Sequence, residues 1–260
     1  MSIRLWVVVP AYNEAPTIGA TLEALAGQHR APDGVVVVDN ASTDGTAEVV
    51  RAFAAAHPGL NLVVVHEPQK GTGAAADTGM RHAIACGATH LARTDADCVP
   101  PPHWTAAILR GFASGLDMVA GRLRPRTDEF PLTWKEKYVM RGLQEVATAL
   151  LWLRPGDRRR PAFFGPFVMS PGSTLAITAE LYRRSGGFPR APIEVVHDDH
   201  ELAKRVRRVG GTSGRPRDVW VYWSMRRVRA YGVCAVLLWY AQHRSRPPVV
   251  DVRLPAEPGH

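Results

Sequence analysis

Cysteine is scarce in this chain: Cys86, Cys98 and Cys234 are the three among 260 residues. Their scatter fits neither a disulfide framework nor a metal-type spacing, so a reducing compartment is expected. Long hydrophobic runs are missing as well. No stretch reaches the ~20 apolar residues of a membrane span. The run after Arg4 stops at Pro10, too short for the apolar core of a signal peptide. A cytoplasmic location is therefore expected. Acidic residues are the minority, 24 against 32 Lys and Arg, which leaves a net charge of +8. The arginines gather at Arg158, Arg159 and Arg160, at Arg205, Arg207 and Arg208, and at Arg226, Arg227 and Arg229. Such clusters suit anionic partners. Nucleic acid is not among those expected, because no recognition motif or interleaved aromatic run accompanies the charge. Internal repeats are absent too. With 46% hydrophobic residues the chain is globular, and its length allows one or two domains.

What is present begins with short β-branched runs. Leu5-Trp6-Val7-Val8-Val9 empties into Pro10-Ala11-Tyr12-Asn13-Glu14, and Val35 to Val38 ends in Asp39-Asn40-Ala41-Ser42-Thr43-Asp44-Gly45. Uninterrupted apolar runs of this length suit parallel strands covered on both faces. Helix-like stretches follow at 17–28 and 46–56, the second with Ser42 or Thr43 as its expected N-cap. Residues 61–66 read as a third strand, and Gly71-Thr72-Gly73 opens a helix running to about Cys86. Pro101-Pro102 marks a further helix start. Strand, polar loop and helix in repetition describe an open α/β sheet, whose ligands lie beyond the carboxyl ends of the strands. Asp39 and Asp95 should therefore point to one crevice.

Asp95-Ala96-Asp97 closes the strand read at 90–94. Residues two apart in extended chain face the same side. Two carboxylates ~5 Å apart repel by about 3 kcal/mol at an effective dielectric of 20. A hard divalent cation, Mg²⁺ or Mn²⁺, would reward that arrangement. Alone, the same three residues also make an ordinary surface turn.

The segments VVVPAYNEAPTIGATLEAL, VVVVDNASTDGTAEVV, KGTGAAADTGMRHA and RTDADCVPPPHW resemble family 2 glycosyltransferases in order and spacing. Gly172 to Ile177, Gly186-Gly187-Phe188 and His197-Asp198-Asp199-His200-Glu201-Leu202 continue the likeness, which covers about residues 3–225. The resemblance implies a GT-A, Rossmann-like fold: a three-layer α/β/α sandwich with a mostly parallel central sheet. It implies one domain over 1–225, with a nucleotide-sugar donor half at 1–120 and an acceptor and catalytic half at 121–225. A C-terminal helix and proline-rich tail would occupy 226–260.

The implied activity is metal-dependent, inverting transfer of a sugar from a nucleotide-diphosphate donor to a hydroxyl acceptor. Pro10, Ala11 and Tyr12 would pack along base and ribose, and Glu14 would reach the ribose hydroxyls. Asp39 would accept the imide N–H of uracil, favouring UDP or dTDP. Relatives carry Arg-Asn where this chain has Ala76-Asp77, so Lys70, beside Gly71, or another basic residue is expected to supply the missing cation. Asp95, Ala96 and Asp97 would hold the diphosphate through the metal, with Asp97 the more direct ligand. Asp198-Asp199, read as preceding a helix that begins near Glu201, would hold the catalytic base, Asp199 aligning with the second acid of the family's motif. Gly186, Gly187 and Phe188 would underlie acceptor and donor sugar. Arg93 would be buried, with Asp77 or the diphosphate as its partner.

The second half reads less regularly. A Pro- and Arg-bearing connection at 121–132 leads to an amphipathic helix at 133–153, then a long loop from Arg154 to Pro171. Tyr231 to Ala241 reads as a core helix, with a membrane-surface helix and peripheral contact with anionic lipid at the inner face as the alternative. The rival activities are a nucleotidyltransferase, which would want a Gly-rich, basic N-terminal loop, and a catalytically silent nucleotide-binding or scaffold protein of the same fold.

Overall fold

The computed structural model describes residues 2–129, 171–190 and 198–232. The expected helix at 133–153, most of the loop that follows it, His197, and the chain beyond 232 lie outside the described residues. Chain order is β1 (Leu5–Ala11), α1 (Ile18–Ala26), β2 (Gly34–Asp39), α2 (Thr46–Ala56), β3 (Leu62–His66), α3 (Thr72–Ala85), β4 (His90–Arg93) and α4 (Trp104–Ala113). Then come β5 (Met118–Ala120), β6 (Arg122–Pro125), β7 (Leu175–Thr178), α5 (Ala179–Ser185), α6 (Asp198–Arg208), β8 (Ser213–Gly214), β9 (Trp220–Trp223) and α7 (Arg226–Tyr231).

Seven strands form one sheet in the order β3-β2-β1-β4-β7-β5-β8. β1, β2, β3 and β4 run parallel, and β7 lies antiparallel to both β4 and β5. All seven residues of β1 are buried, as its uninterrupted apolar run requires. Alternation along that strand divides the core in two. Leu5, Val7, Val9 and Ala11 pack with Ile18, Leu22 and Leu25 of α1 and with Trp104 and Ile108 of α4. Trp6 and Val8 face the other way, onto Ala76 and Met80 of α3, Tyr182 of α5 and Leu202 of α6. Two cores on opposite faces of one sheet make the three-layer sandwich. Gly79 lets α3 approach closely: a Cβ there would fall 2.4 Å from Val8 Cγ1 and 2.7 Å from Val38 Cγ2.

Pro10 sits inside β1 without cost. The Val8 carbonyl accepts from Thr94 on the β4 side, whereas the Ala11 carbonyl accepts from Asn40 on the β2 side. The nitrogen of Pro10 therefore faces the side where β4 has already turned away, and no ladder bond is lost.

Three local expectations are corrected. Neither Ser42 nor Thr43 caps α2: Gly45 holds that position at φ 83°, and the Asp44 carboxylate accepts the Thr46 N–H. Residues 122–125 are not mere connection, since β6 pairs in parallel with β9. The α6 helix starts at Asp198 rather than near Glu201, so both aspartates lie in its first turn.

Candidate active site

Three neighbouring strand ends build the crevice. The chain winds outward from β1 to β3 and then crosses to β4 on the other flank of β1, so the order reverses between β1 and β4. Ligands of open α/β sheets bind at such a switch. Ala11 is level with Asp39, and Val8 with Arg93, so the loops after β1, β2 and β4 emerge side by side.

The Asp95-Ala96-Asp97 turn is pinned from beneath. The Thr21 hydroxyl, fully buried on α1, reaches the Ala96 carbonyl at 2.9 Å and the Cys98 carbonyl at 2.8 Å. Ala96 packs into the core, and the flanking carboxylates stay half-buried. Cys98 is fully buried and lies 3.6 Å from Asp97 Oδ1. Asp95, Asp97 and Cys98 each offer one ligand atom, all within 4.8 Å of one another. Burial, with Asp97 and Asp95 alongside, pushes the Cys98 thiol well up. The carboxylate pair fits a hard divalent cation.

Arg93 does not pair with Asp77, one of its two expected partners. Its guanidinium, 3% exposed, donates to Asp198 Oδ2 at 2.7 Å and to Asp95 Oδ1 at 3.2 Å. Burial works against its charge, but Asp198 and Asp95 outweigh that and raise its pKa. Asp77 instead holds Arg81 at 2.8 Å and accepts from the Tyr182 hydroxyl at 2.8 Å. Burial raises the Asp95 carboxyl, Arg93 pulls it back, and Asp97 and Asp198 push it up again.

The two aspartates of α6 differ. Asp198 is buried against Arg93, whereas half-buried Asp199 accepts from the His200 N–H at 2.8 Å and the Gly172 N–H at 3.2 Å. Both gain from the positive end of the helix. Gly186 and Gly187 turn the chain at φ 80° and 72°, and the buried Phe188 ring lies 5.1 Å from the Arg93 guanidinium.

On the first loop, Glu14 is buried. Its carboxylate accepts from the Thr17 hydroxyl at 2.6 Å and from Arg226 at 2.8 Å. Burial and then Asp97 push Glu14 above the ordinary carboxylate range, against the pull of Arg226. Asp39 Oδ1 accepts the Ser42 N–H at 3.2 Å, and Oδ2 lies 3.4 Å from His66 Nδ1. The Lys70 ammonium sits 5.2 Å from the centre of the Tyr12 ring, a cation–π distance. The Gly71 N–H donates to the Asn40 side chain at 2.9 Å.

Arg226 escaped the sequence reading, which grouped it with the basic clusters suited to anionic partners. The same guanidinium that holds Glu14 also holds Asp97 Oδ2 at 3.0 Å. Its Nε donates to the Ser224 hydroxyl at 3.2 Å, and that hydroxyl donates to Glu129 at 2.7 Å. Glu129 pairs with buried Arg126 at 2.9 Å, which in turn reaches the Asp97 carbonyl at 3.1 Å. No local pattern announces this ring, because its members lie up to 212 residues apart.

The family model for glycosyl transferase family 2 matches residues 6–178. The chain belongs to this family. The glycosyltransferase AglE of Haloferax volcanii is 37% identical over 123 residues, 45% of this chain and 38% of the relative. The undecaprenyl-phosphate mannosyltransferase of Micrococcus luteus is 32% identical over 123 residues, 47% of this chain and 49% of the relative. The chain thus spans half or less of these curated relatives. Among solved structures, the mannosyltransferase PcManGT of Pyrobaculum calidifontis, in complex with GDP-Man and Mn²⁺, superposes with a TM-score of 0.64 at 29% identity. That match covers 95% of this chain and 66% of the other. The family's GT-A sheet is the seven-stranded one described above. Among the described residues, no helix is long and apolar enough to cross a membrane.

Proposed function

We propose that the chain transfers a sugar from a nucleotide-diphosphate donor to a hydroxyl acceptor, with metal assistance and inversion at the anomeric carbon. One observation carries this reading: the Asp95–Asp97 turn and the Asp198–Asp199 helix start meet at one guanidinium, Arg93. The end of β1 and the loop after it, with Pro10, Ala11, Tyr12 and Glu14, form the nucleoside wall, and Asp39 and Lys70 flank the base. Asp97 and Asp95 are the residues to hold Mg²⁺ or Mn²⁺. That ion would neutralise charge building on the departing diphosphate.

Asp198 is spent on Arg93, so Asp199 is the base. Its carboxylate takes the acceptor's proton as the oxygen attacks from the face opposite the nucleotide. The Gly172 and His200 N–H groups orient it. Gly186 and Gly187 turn the chain beneath the sugar, with Phe188 backing Arg93.

Thermal shift with UDP, dTDP and GDP, with and without Mn²⁺, tests the donor site. GDP belongs in the set because PcManGT was solved with GDP-Man. At 100 times the dissociation constant a ligand stabilises by about 2.7 kcal/mol, roughly 5–10 °C for a chain this size. No Mn²⁺-dependent shift with any of them ends the proposal. Sugar release from a donor panel, with a polyprenyl phosphate among the acceptors because a relative is named for one, then tests transfer. The Asp199→Asn form should lose at least a hundredfold in rate while remaining folded. A second reading, a silent nucleotide-binding protein, draws on Arg226 already holding Asp97. It expects the thermal shift without sugar release.

A further inference from the structure

A fully buried arginine inside a sheet is costly, and its two carboxylate partners come from two separate elements. Arg93 ends β4, where Asp95 begins the acidic turn, while Asp198 opens α6, 105 residues later. The surroundings are built around the guanidinium. The Phe188 ring lies 5.1 Å from it. A Cβ on Gly172 would fall 3.0 Å from its Cζ and Nη2, so that position must stay small. Gly172 also donates to Asp199. One planar fork therefore touches Asp95 directly and borders the residue that orients Asp199.

We propose that Arg93 is a positioning residue that fixes the acidic turn of β4 and the start of α6 relative to each other, so that Asp97 and Asp199 face one crevice at a set separation. This rests on the glycosyl-transfer reading above. Transfer requires that base, acceptor oxygen and anomeric carbon line up, and small misplacements are expensive in rate. Arginine suits the task because its rigid fork serves two carboxylates at once. A lysine ammonium keeps the charge but lacks the planar fork that fixes their relative geometry.

The test compares the full wild-type chain with Arg93→Lys, which retains the buried positive charge. Three quantities are measured: melting temperature, affinity for UDP or GDP with Mn²⁺ by calorimetry, and transfer kinetics. The expected result is a folded variant whose nucleotide affinity stays within about threefold of wild type while kcat falls at least tenfold. Wild-type kcat in the folded variant overturns the proposal. So does a tenfold loss of nucleotide affinity at unchanged kcat, which would make Arg93 part of the donor site.

Should Arg93→Lys fail to fold, the neutral pair Arg93→Gln with Asp198→Asn is compared with Asp198→Asn alone. The proposal expects the pair to turn over at least fivefold more slowly, because the hold on Asp95 is lost as well. Equal rates overturn it. A wild-type chain that binds no nucleotide diphosphate in Mn²⁺ overturns the underlying reading too, and does so before any variant is made.

Discussion

The Arg226 guanidinium lies 3.0 Å from the Asp97 carboxylate and 2.8 Å from that of Glu14, joining residues 129 and 212 positions away with a single nitrogen. Without that cation the two acids would face each other across a half-buried gap. Burial, and after it Asp97, already raise the Glu14 pKa against the pull of Arg226.

The Arg226→Gln form should therefore lose about 1–3 kcal/mol, a fall of roughly 3–10 °C in melting temperature. Millimolar Mn²⁺ should recover more of that loss than it adds to wild type, since the ion takes over the neutralisation. Scanning calorimetry with and without Mn²⁺ measures both. Equal Mn²⁺ effects in the two proteins would separate Arg226 from the acidic turn.

Neighbouring aspartates should respond differently to the same change. Asp198→Asn strips the buried Arg93 of its main counter-charge and should cost about 3–5 kcal/mol. Asp199 is half-buried and accepts from the backbone N–H groups of Gly172 and His200. Its change to Asn should cost about 1 kcal/mol. Denaturant melts of the two variants settle the order. If Asp199→Asn is the less stable, the assignment of roles is reversed.

Gly187 has φ 72°, and a Cβ there would meet Asp77 Oδ1, Tyr182 Cζ and the Tyr182 hydroxyl, all at 2.9 Å. Tyr182 also accepts the Phe188 N–H at 3.0 Å, so it has little room to yield. Gly187→Ala should lose about 2–4 kcal/mol from conformation and crowding together. Gly45→Ala, at φ 83° with its nearest neighbour 4.0 Å away, should lose only about 1 kcal/mol. Thermal melts of both compare the crowded turn with the open one.

Acid should loosen the clip between α3 and the turn at 186–190. Arg190 holds Glu67 at 2.8 Å, and the Thr78 hydroxyl donates to the same carboxylate. Burial alone would raise the Glu67 pKa, but the bonds from Thr78, Arg190 and Gln69 bring it below the usual 4.5. A depressed carboxyl contributes stability above its unfolded pKa and loses it as pH falls through the folded value. Melting temperature should thus fall more steeply below pH 4.5 in wild type than in Glu67→Gln. Parallel curves would show that Glu67 is not linked to folding.

Much of the scaffold was legible because it is local. The span of α2, 46–56, follows from its own apolar spacing, and the valine runs of β1 and β2 leave no alternative to buried parallel strands. The acidic turn was legible from spacing alone. Partner choice was not. Arg93 was expected to meet Asp77 or the diphosphate, and Asp77 lies four residues from Arg81, where an i, i+4 pair on one helix claims its carboxylate. Arg226 looked like one more basic residue beside Arg227 and Arg229, and only the closing of the sheet brings it to Asp97. The start of α6 was placed late because Asp198 and Asp199 resemble a loop in composition, whereas the helix dipole welcomes them in its first turn.

Strand β7 occupies the place between β4 and β5, although it is made more than 50 residues after either. A ribosome that has delivered only the first 120 residues has given β4 no outer neighbour, so that edge stays open to any other extended chain. Synthesis itself thus passes through an adhesive stage that ends when residue 178 arrives. A fragment stopping at Ala120 should collect in the insoluble fraction, while the whole chain escapes.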